Sequence, residues 1–326
     1  MPFSSLLGNE RIKKLLRRAV AEARVGQSLL MAGPRGVGKY RFAIALAQAL
    51  NCERVNQGDA CGACVPCRKV AAGEHADVQT VTNDGQFIKI DQMRGMSRDA
   101  QFKPYEGRHR VCIIDEADRM NIASANSILK TLEEPPESTL IVLVTSKPYG
   151  LPDTVRSRCQ MLNFAPLAAS EIEEHLRNKE NRAADEARLL ARLARGSIGH
   201  ALEIDLDEFR EMRDTMLQLI ETLTLKGDVS ELLSASEYLG RKIEKEQFEN
   251  HLDTMLVLLS DLFQIKFNQI EELLTNADVA DRLKRSAEKL TIEQITRWVD
   301  RIEEIFLALP RNVNRQLAMD AMLITA

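Results

Sequence analysis

Aromatic residues are scarce in this 326-residue chain, at 5%, and there is one tryptophan. A surface that holds nucleic acid by stacking bases on successive rings is therefore not its main device. Charge of one sign is lacking too. The formal net charge is −4 and the pI near 5.9, without the basic excess of a stand-alone DNA-binding chain. No run of about 18 apolar residues occurs, which excludes a membrane-spanning helix by sequence. The opening MPFSSLLGNERIKK lacks the apolar core of a secretory signal. With 44% hydrophobic and 28% charged residues, the expectation is a cytoplasmic globular protein of two or three domains.

One absence is local. GPRGVGKY, Gly33 to Tyr40, follows the phosphate-loop pattern G-x-x-x-x-G-K-[ST] up to its last position, where a short alcohol holds magnesium. Tyr40 stands there instead, and a phenol on a long rigid arm does not coordinate as serine or threonine does. The context still fits the loop. QSLLMAG reads as a buried strand entering at Gly33, and RFAIALAQAL as a helix leaving. Backbone N–H groups of Gly36, Val37 and Gly38, with the start of that helix, make an anion nest. Lys39 is expected to reach the terminal phosphates.

β-Branched runs follow at 77–81, 110–117, 139–146 and 159–164, with helical patterns at 91–100 and 124–134. Buried strands alternating with helices predict a parallel sheet covered on both faces. VCIIDEAD ends its strand in Asp115 and Glu116, two carboxylates at the carboxyl edge near the phosphate loop. An aspartate there holds the magnesium shell and a glutamate polarises the attacking water; capping the next helix is the plainer alternative. TLIVLVTS ends in Thr145, able to sense a γ-phosphate, although threonine commonly ends strands. Arg158 of VRSRC sits in a turn before the last strand. A guanidinium there can be offered across an interface to a neighbour's ATP, while spacing alone favours a surface ion pair. Arg94, Lys103, Arg108 and Arg110 read as a face for DNA phosphates or, more plainly, as a solvated charged face. The five histidines have no ligand spacing and form no triad.

Cys52, Cys61, Cys64 and Cys67 crowd into one segment, the last three as C-x2-C-x2-C. Four thiolates suit a closed tetrahedral zinc site, structural because no position remains for water. An iron–sulfur cluster shares the ligand type, but no other redox feature accompanies it. Arg54, Arg68 and Lys69 are close enough in sequence to offset the site's negative charge. Cys112 and Cys159, in strand contexts, read as small buried apolar groups. Beyond Pro166 the strands stop. The boundaries expected are a nucleotide-fold domain over 1–165, a small helical domain over 166–207 and a larger helical bundle over 208–326.

GPRGVGK, the Cys52–Cys67 array, KPYEGRHRVCIIDEADRMN, ILKTLEEPPESTLIVLVTS, LPDTVRSRC, GSIGHAL and ALPRNVNRQLAMDAML together resemble the bacterial clamp-loader family. These are AAA+ proteins that open the sliding clamp for the replicative polymerase, DNA polymerase III. The resemblance implies an α/β AAA+ domain with a parallel sheet, a helical lid and an all-α collar that oligomerises. It implies ATP or ADP at Gly33, Gly36, Gly38, Lys39, Asp115, Glu116 and Thr145, and structural zinc on the four cysteines. Its implied partners are gamma/tau and delta subunits in a ring, the sliding clamp, and primed DNA through the complex.

Three departures separate the chain from the ATP-hydrolysing gamma/tau motors. Tyr40 replaces the magnesium alcohol. Gly199, beside His200, stands where a motor lid carries an arginine for the γ-phosphate. The sequence also ends after the collar, without the extension of the long motor form. Meanwhile Ser157-Arg158-Cys159 is intact. This combination resembles the delta-prime branch, expected to have little or no ATPase of its own and to lend an arginine finger to a neighbouring ATPase. A gamma/tau-like motor with an unusual loop is the alternative these residues leave open.

Overall fold

The apolar runs fold as five strands interleaved with helices. In chain order they are α1 (Glu10–Ala21), β1 (Ser28–Ala32), α2 (Lys39–Asn51), α3 (Val65–Ala72), β2 (Val78–Val81), α4 (Ile90–Asp99), β3 (Arg110–Ile114), α5 (Ile122–Ser127), α6 (Leu129–Glu133), β4 (Thr139–Thr145), α7 (Asp153–Arg156) and β5 (Gln160–Asn163). The strands form one parallel sheet of order β2-β3-β4-β1-β5. β1 sits between β4 and β5, with Ser28 opposite Ile141 and Leu29 opposite Gln160. The structure is a computed structural model. It describes residues 1–268, 274–311 and 313–324, so 269–273, 312, 325 and 326 of the expected collar lie outside the described residues.

The two-residue period of a strand sends alternate side chains to opposite faces. Leu29 and Met31, with Val111, Ile113, Val142 and Val144, pack against Leu16, Phe42 and Leu46 on one face. Leu30, with Cys112, Ile114, Ile141 and Leu143, packs against Met93, Met96, Ile128 and Leu132 on the other. Both faces are covered, so β1 and β4 are buried at every residue, and their sequences read as unbroken apolar runs. The α/β fold class expected from the sequence is the one observed.

The single helix expected over 124–134 is two short ones. Asn121 caps α5, its side chain accepting from the Ser124 N–H at 2.9 Å. Ser127 Oγ then donates to the Ser124 carbonyl at 2.7 Å. Such local side-chain bonds compete with helix propagation, and Ile128 closes the turn before α6 begins.

Helices α8 (Ala169–Lys179), α9 (Ala184–Leu193) and α10 (Ile198–Glu203) follow and complete a first compact unit, Met1–Glu203. The second unit, Ile204–Ala326, is helical. It holds α11 (Leu206–Glu221), α12 (Val229–Glu237), α13 (Lys245–Asn268), α14 (Ala280–Lys289), α15 (Ile292–Ala308) and α16 (Arg315–Ile324). α13 is its centre. Phe248, Leu252, Met255, Leu259 and Leu262 recur at helical spacing and pack with Met216, Ile220, Trp298 and Ile302. Among the described residues no helix is long and apolar enough to cross a membrane.

Candidate functional site

The phosphate loop leaves the carboxyl end of β1, and Gly38, at φ 93°, caps α2. Gly33 cannot carry a side chain, because a Cβ would lie 2.4 Å from the Phe164 carbonyl oxygen. The loop opens into a cleft of about 330 Å³ that Gly36, Gly38, Lys39, Tyr40, Asp115, Glu116 and Thr145 line together. The topology explains why. Asp115 and Thr145 end or follow β3 and β4, the strands next along the sheet from β1, so all three carboxyl ends meet at one edge.

Lys39 is 6% exposed. Its Nζ folds back to donate to the carbonyls of Gly33 at 2.7 Å and Pro34 at 2.5 Å. Burial pushes the ammonium's pKa down, while Asp115 and Asp118 oppose the shift. Burial also raises the Asp115 carboxyl, although the Glu116 N–H donates to it. Glu116 sits at φ 47° and pairs with Arg119 at 2.9 Å. Thr145 lines the cleft, but its hydroxyl donates to Asp118 and accepts from the Lys147 N–H. Asp118, which spacing did not single out, thus holds the Thr145 hydroxyl. The Tyr40 hydroxyl lies 3.3 Å from Thr80 Oγ1 of β2, so this oxygen is engaged at an outer strand rather than offered to a metal beside the phosphates.

Gly199 has a physical reason to be glycine. Its N–H donates to the Gly36 carbonyl at 3.0 Å, and a Cβ on it would approach Gly36 Cα to 3.1 Å. A Cβ on Gly36, at φ 74°, would in turn meet Ser197 Oγ at 2.0 Å. The start of α10 therefore lies backbone to backbone on the phosphate loop, in the place where a motor's arginine is expected. The Ser197 contact was not foreseen, and only a close approach between distant segments reveals it.

Arg158 is not part of this cleft. It precedes β5, whose Gln160 pairs with Leu29 near the start of β1, whereas Gly33 follows Ala32 at the other end. At about 3.3 Å per residue, Arg158 and the phosphate loop are separated by roughly 10 Å of strand or more, beyond opposite ends of the strands. The guanidinium is partly exposed, at 32%. Its Nε donates to Glu133 at 2.6 Å, Nη2 donates to the same oxygen, and Nη1 donates to the Thr154 carbonyl at 2.8 Å. The surface ion pair that spacing favoured is therefore present. Its partner, 25 positions away in sequence, carried no signal.

The four cysteines meet. Cys52 ends α2, Cys64 caps α3 and Cys67 lies within it. Their sulfurs and that of Cys61 all lie within 4.8 Å of one another. The Cys52–Cys64 separation is 3.9 Å, against about 3.8 Å for the edge of a tetrahedron with 2.3 Å metal–sulfur bonds. Backbone N–H groups of Arg54 and Cys61 donate to the Cys52 sulfur, and that of Cys64 to the Cys61 sulfur. N–H bonds from Ala63 and Cys64 pull the Cys61 thiol down to about 6, whereas burial pushes the Cys52 and Cys67 thiols up, so a metal has to displace protons from these two. The cluster can hold a metal ion. Lys69 does not offset its charge, since Lys69 pairs with Glu106 at 2.5 Å. Cys112 is fully buried in the sheet core and Cys159 packs against it, and burial pushes both thiols up to about 12.

The four basic residues at 94–110 do not form one free face. Arg110 donates to the buried Asp77 at 3.0 Å, and Arg94 pairs with Asp91 at 3.8 Å.

The chain is similar to known proteins along most of its length. Residues 8–168 match the family "DNA polymerase III, delta subunit" and residues 211–326 its C-terminal family. The Bacillus subtilis DNA polymerase III subunit delta' is 31% identical over 96% of this chain and 94% of its own length. The subunit tau of the same organism is 31% identical over 80% of this chain, which spans 46% of that longer protein. A gamma-subunit-related protein from Thermotoga maritima superposes with a TM-score of 0.47 at 18% identity, covering 96% of this chain and 97% of that one. On the match to subunit delta' along nearly the full length of both proteins, the chain belongs to the DNA polymerase III delta-prime family.

Proposed function

We propose that this chain is a delta-prime-like scaffold of a clamp-loader ring, and that it offers Arg158 to the ATP bound by an adjacent gamma/tau-type subunit. The observation that carries this reading is the placement of Arg158 beyond the sheet edge opposite its own cleft. A guanidinium there cannot reach a nucleotide at Lys39 of the same chain, but its partly exposed side chain can be approached by a neighbour. In that position it would stabilise the charge spread over the transferring phosphoryl group. In this reading 1–165 is the AAA+ domain, 166–207 the lid and 208–326 the collar through which the ring assembles. Delta and gamma/tau subunits are its partners in the cytoplasm, and it acts on the sliding clamp and primed DNA through the complex.

Its own cleft retains an anion nest, Lys39, Asp115, Glu116 and Thr145 at one edge, which supports binding of ATP or ADP. Tyr40 supplies no short alcohol, so magnesium-dependent turnover loses one of its supports. Zinc on Cys52, Cys61, Cys64 and Cys67 fits the sulfur geometry and clips α3 to the end of α2. The assembled cleft also favours the motor reading, which turnover by the isolated chain would establish.

The test of the finger is Arg158→Ala in a reconstituted loader. The complex is expected to assemble, with ATP hydrolysis falling by about 100-fold or more at the site the arginine serves. DNA-stimulated hydrolysis equal to that of the unaltered complex would remove the assignment.

A further inference from the structure

Arg158 is not extended towards solvent. A guanidinium has five N–H donors, and a phosphate is gripped best by two parallel ones on one edge. Here the Nε and Nη2 edge is taken by a single Glu133 oxygen. Nη1 is held by the Thr154 carbonyl at 2.8 Å and lies 3.5 Å from Ser157 Oγ. The Nε and Nη2 edge by which a phosphate would be gripped is thus already in use within the same chain.

The clasp is built into the fold. Glu133 is the last residue of α6, and Pro135 and Pro136 follow its C-cap, where helix cannot continue. Leu132 and Val155 are 3% and 0% exposed in one core cluster, which anchors both sides next to the charged pair. The ion pair itself is half in solvent, with side chains 32% and 47% exposed. Such pairs are weak and exchange readily. An anchored carboxylate on a weak, water-accessible contact suits a group that is released rather than one that stabilises.

We infer that Glu133 is a positioning residue that parks the Arg158 guanidinium, and that completing a neighbour's ATP site transfers it from this carboxylate to the phosphate. The inference rests on the arginine-finger reading above. The two anions compete for one cation, so the parked state suppresses hydrolysis until assembly on DNA brings the phosphate within reach.

The experiment compares Glu133→Gln, Glu133→Ala, Arg158→Ala and the Glu133→Gln/Arg158→Ala double variant in the reconstituted complex, with and without primed DNA. Assembly is checked by gel filtration. Both Glu133 variants are expected to raise DNA-independent ATPase about 2- to 5-fold, with the DNA-stimulated rate changed less than about twofold. The stimulation ratio then falls by the same factor. In the Arg158→Ala background, Glu133→Gln is expected to add nothing, a dependence that a merely structural ion pair would not produce. An unaltered DNA-independent rate in both Glu133 variants, with Arg158→Ala impaired, overturns the parking role alone. An equal rise in the double variant does the same. An Arg158→Ala complex that hydrolyses normally overturns the finger reading beneath it.

Discussion

Asp77 belongs to no motif, yet it is 1% exposed and organises a whole loop. Its carboxylate accepts from the N–H groups of Tyr105 at 2.6 Å, Glu106 at 2.8 Å and Gly107 at 2.8 Å, and from Arg110. Burial alone would raise its pKa, but these donors outweigh burial and hold it below the ordinary 3.8. A carboxylate whose folded pKa is depressed stabilises the fold fully above its ordinary value, and the contribution is lost as pH falls through the lower folded value. Asp77→Asn presents an amide to three N–H donors and leaves Arg110 without its anion. We expect a loss of about 3 kcal/mol at neutral pH, read as a lower denaturant midpoint. The variant's stability should also vary less than the parent's below pH 4. Equal midpoints would show that the loop is held by other contacts.

At the scale of elements, the cysteine module and the contact of α10 with the phosphate loop are the parts on which the site depends. The module spans the end of α2 and the start of α3, a segment with little apolar material of its own, so a metal is the natural clip. Protein purified without added metal is expected to carry one zinc per chain by elemental analysis. Cys64→Ser should lose it and about 2 kcal/mol or more of stability. Iron with visible absorption would overturn zinc. The α10 contact was only half legible. Gly199 stood out against the motor pattern, but the reason for a glycine is the Gly36 carbonyl 3.0 Å away, which no local pattern encodes. The expected helix over 124–134 is broken for a different, local reason, since Ser127 and Asn121 make side-chain bonds that periodicity does not register.

On the scale of the whole molecule, the cleft with Lys39 and the side chain of Arg158 stand beyond opposite ends of the strands of one sheet, so in the proposed reading one face receives a nucleotide and the other serves a neighbour's. In that reading a ring member without the magnesium alcohol is inert on one side and active on the other. The isolated chain with magnesium and ATP is therefore expected to show turnover near background, measured as phosphate release. Robust hydrolysis abolished by Lys39→Ala would instead make it a motor.

The sequence by itself determined the parallel α/β unit, the helical second unit, the phosphate loop and the cysteine cluster. Each of these is encoded by neighbours in the chain, through strand alternation, glycine spacing and C-x2-C repeats. Tertiary structure alone decided which groups are free to act. The partners of Thr145, Arg158, Arg110 and Gly199 are Asp118, Glu133, Asp77 and Gly36, residues 25 to 163 positions away that the tertiary fold brings within hydrogen-bond distance. A hydrogen bond depends on angstroms rather than on chain separation, so residue spacing could nominate these groups but not say what already holds them.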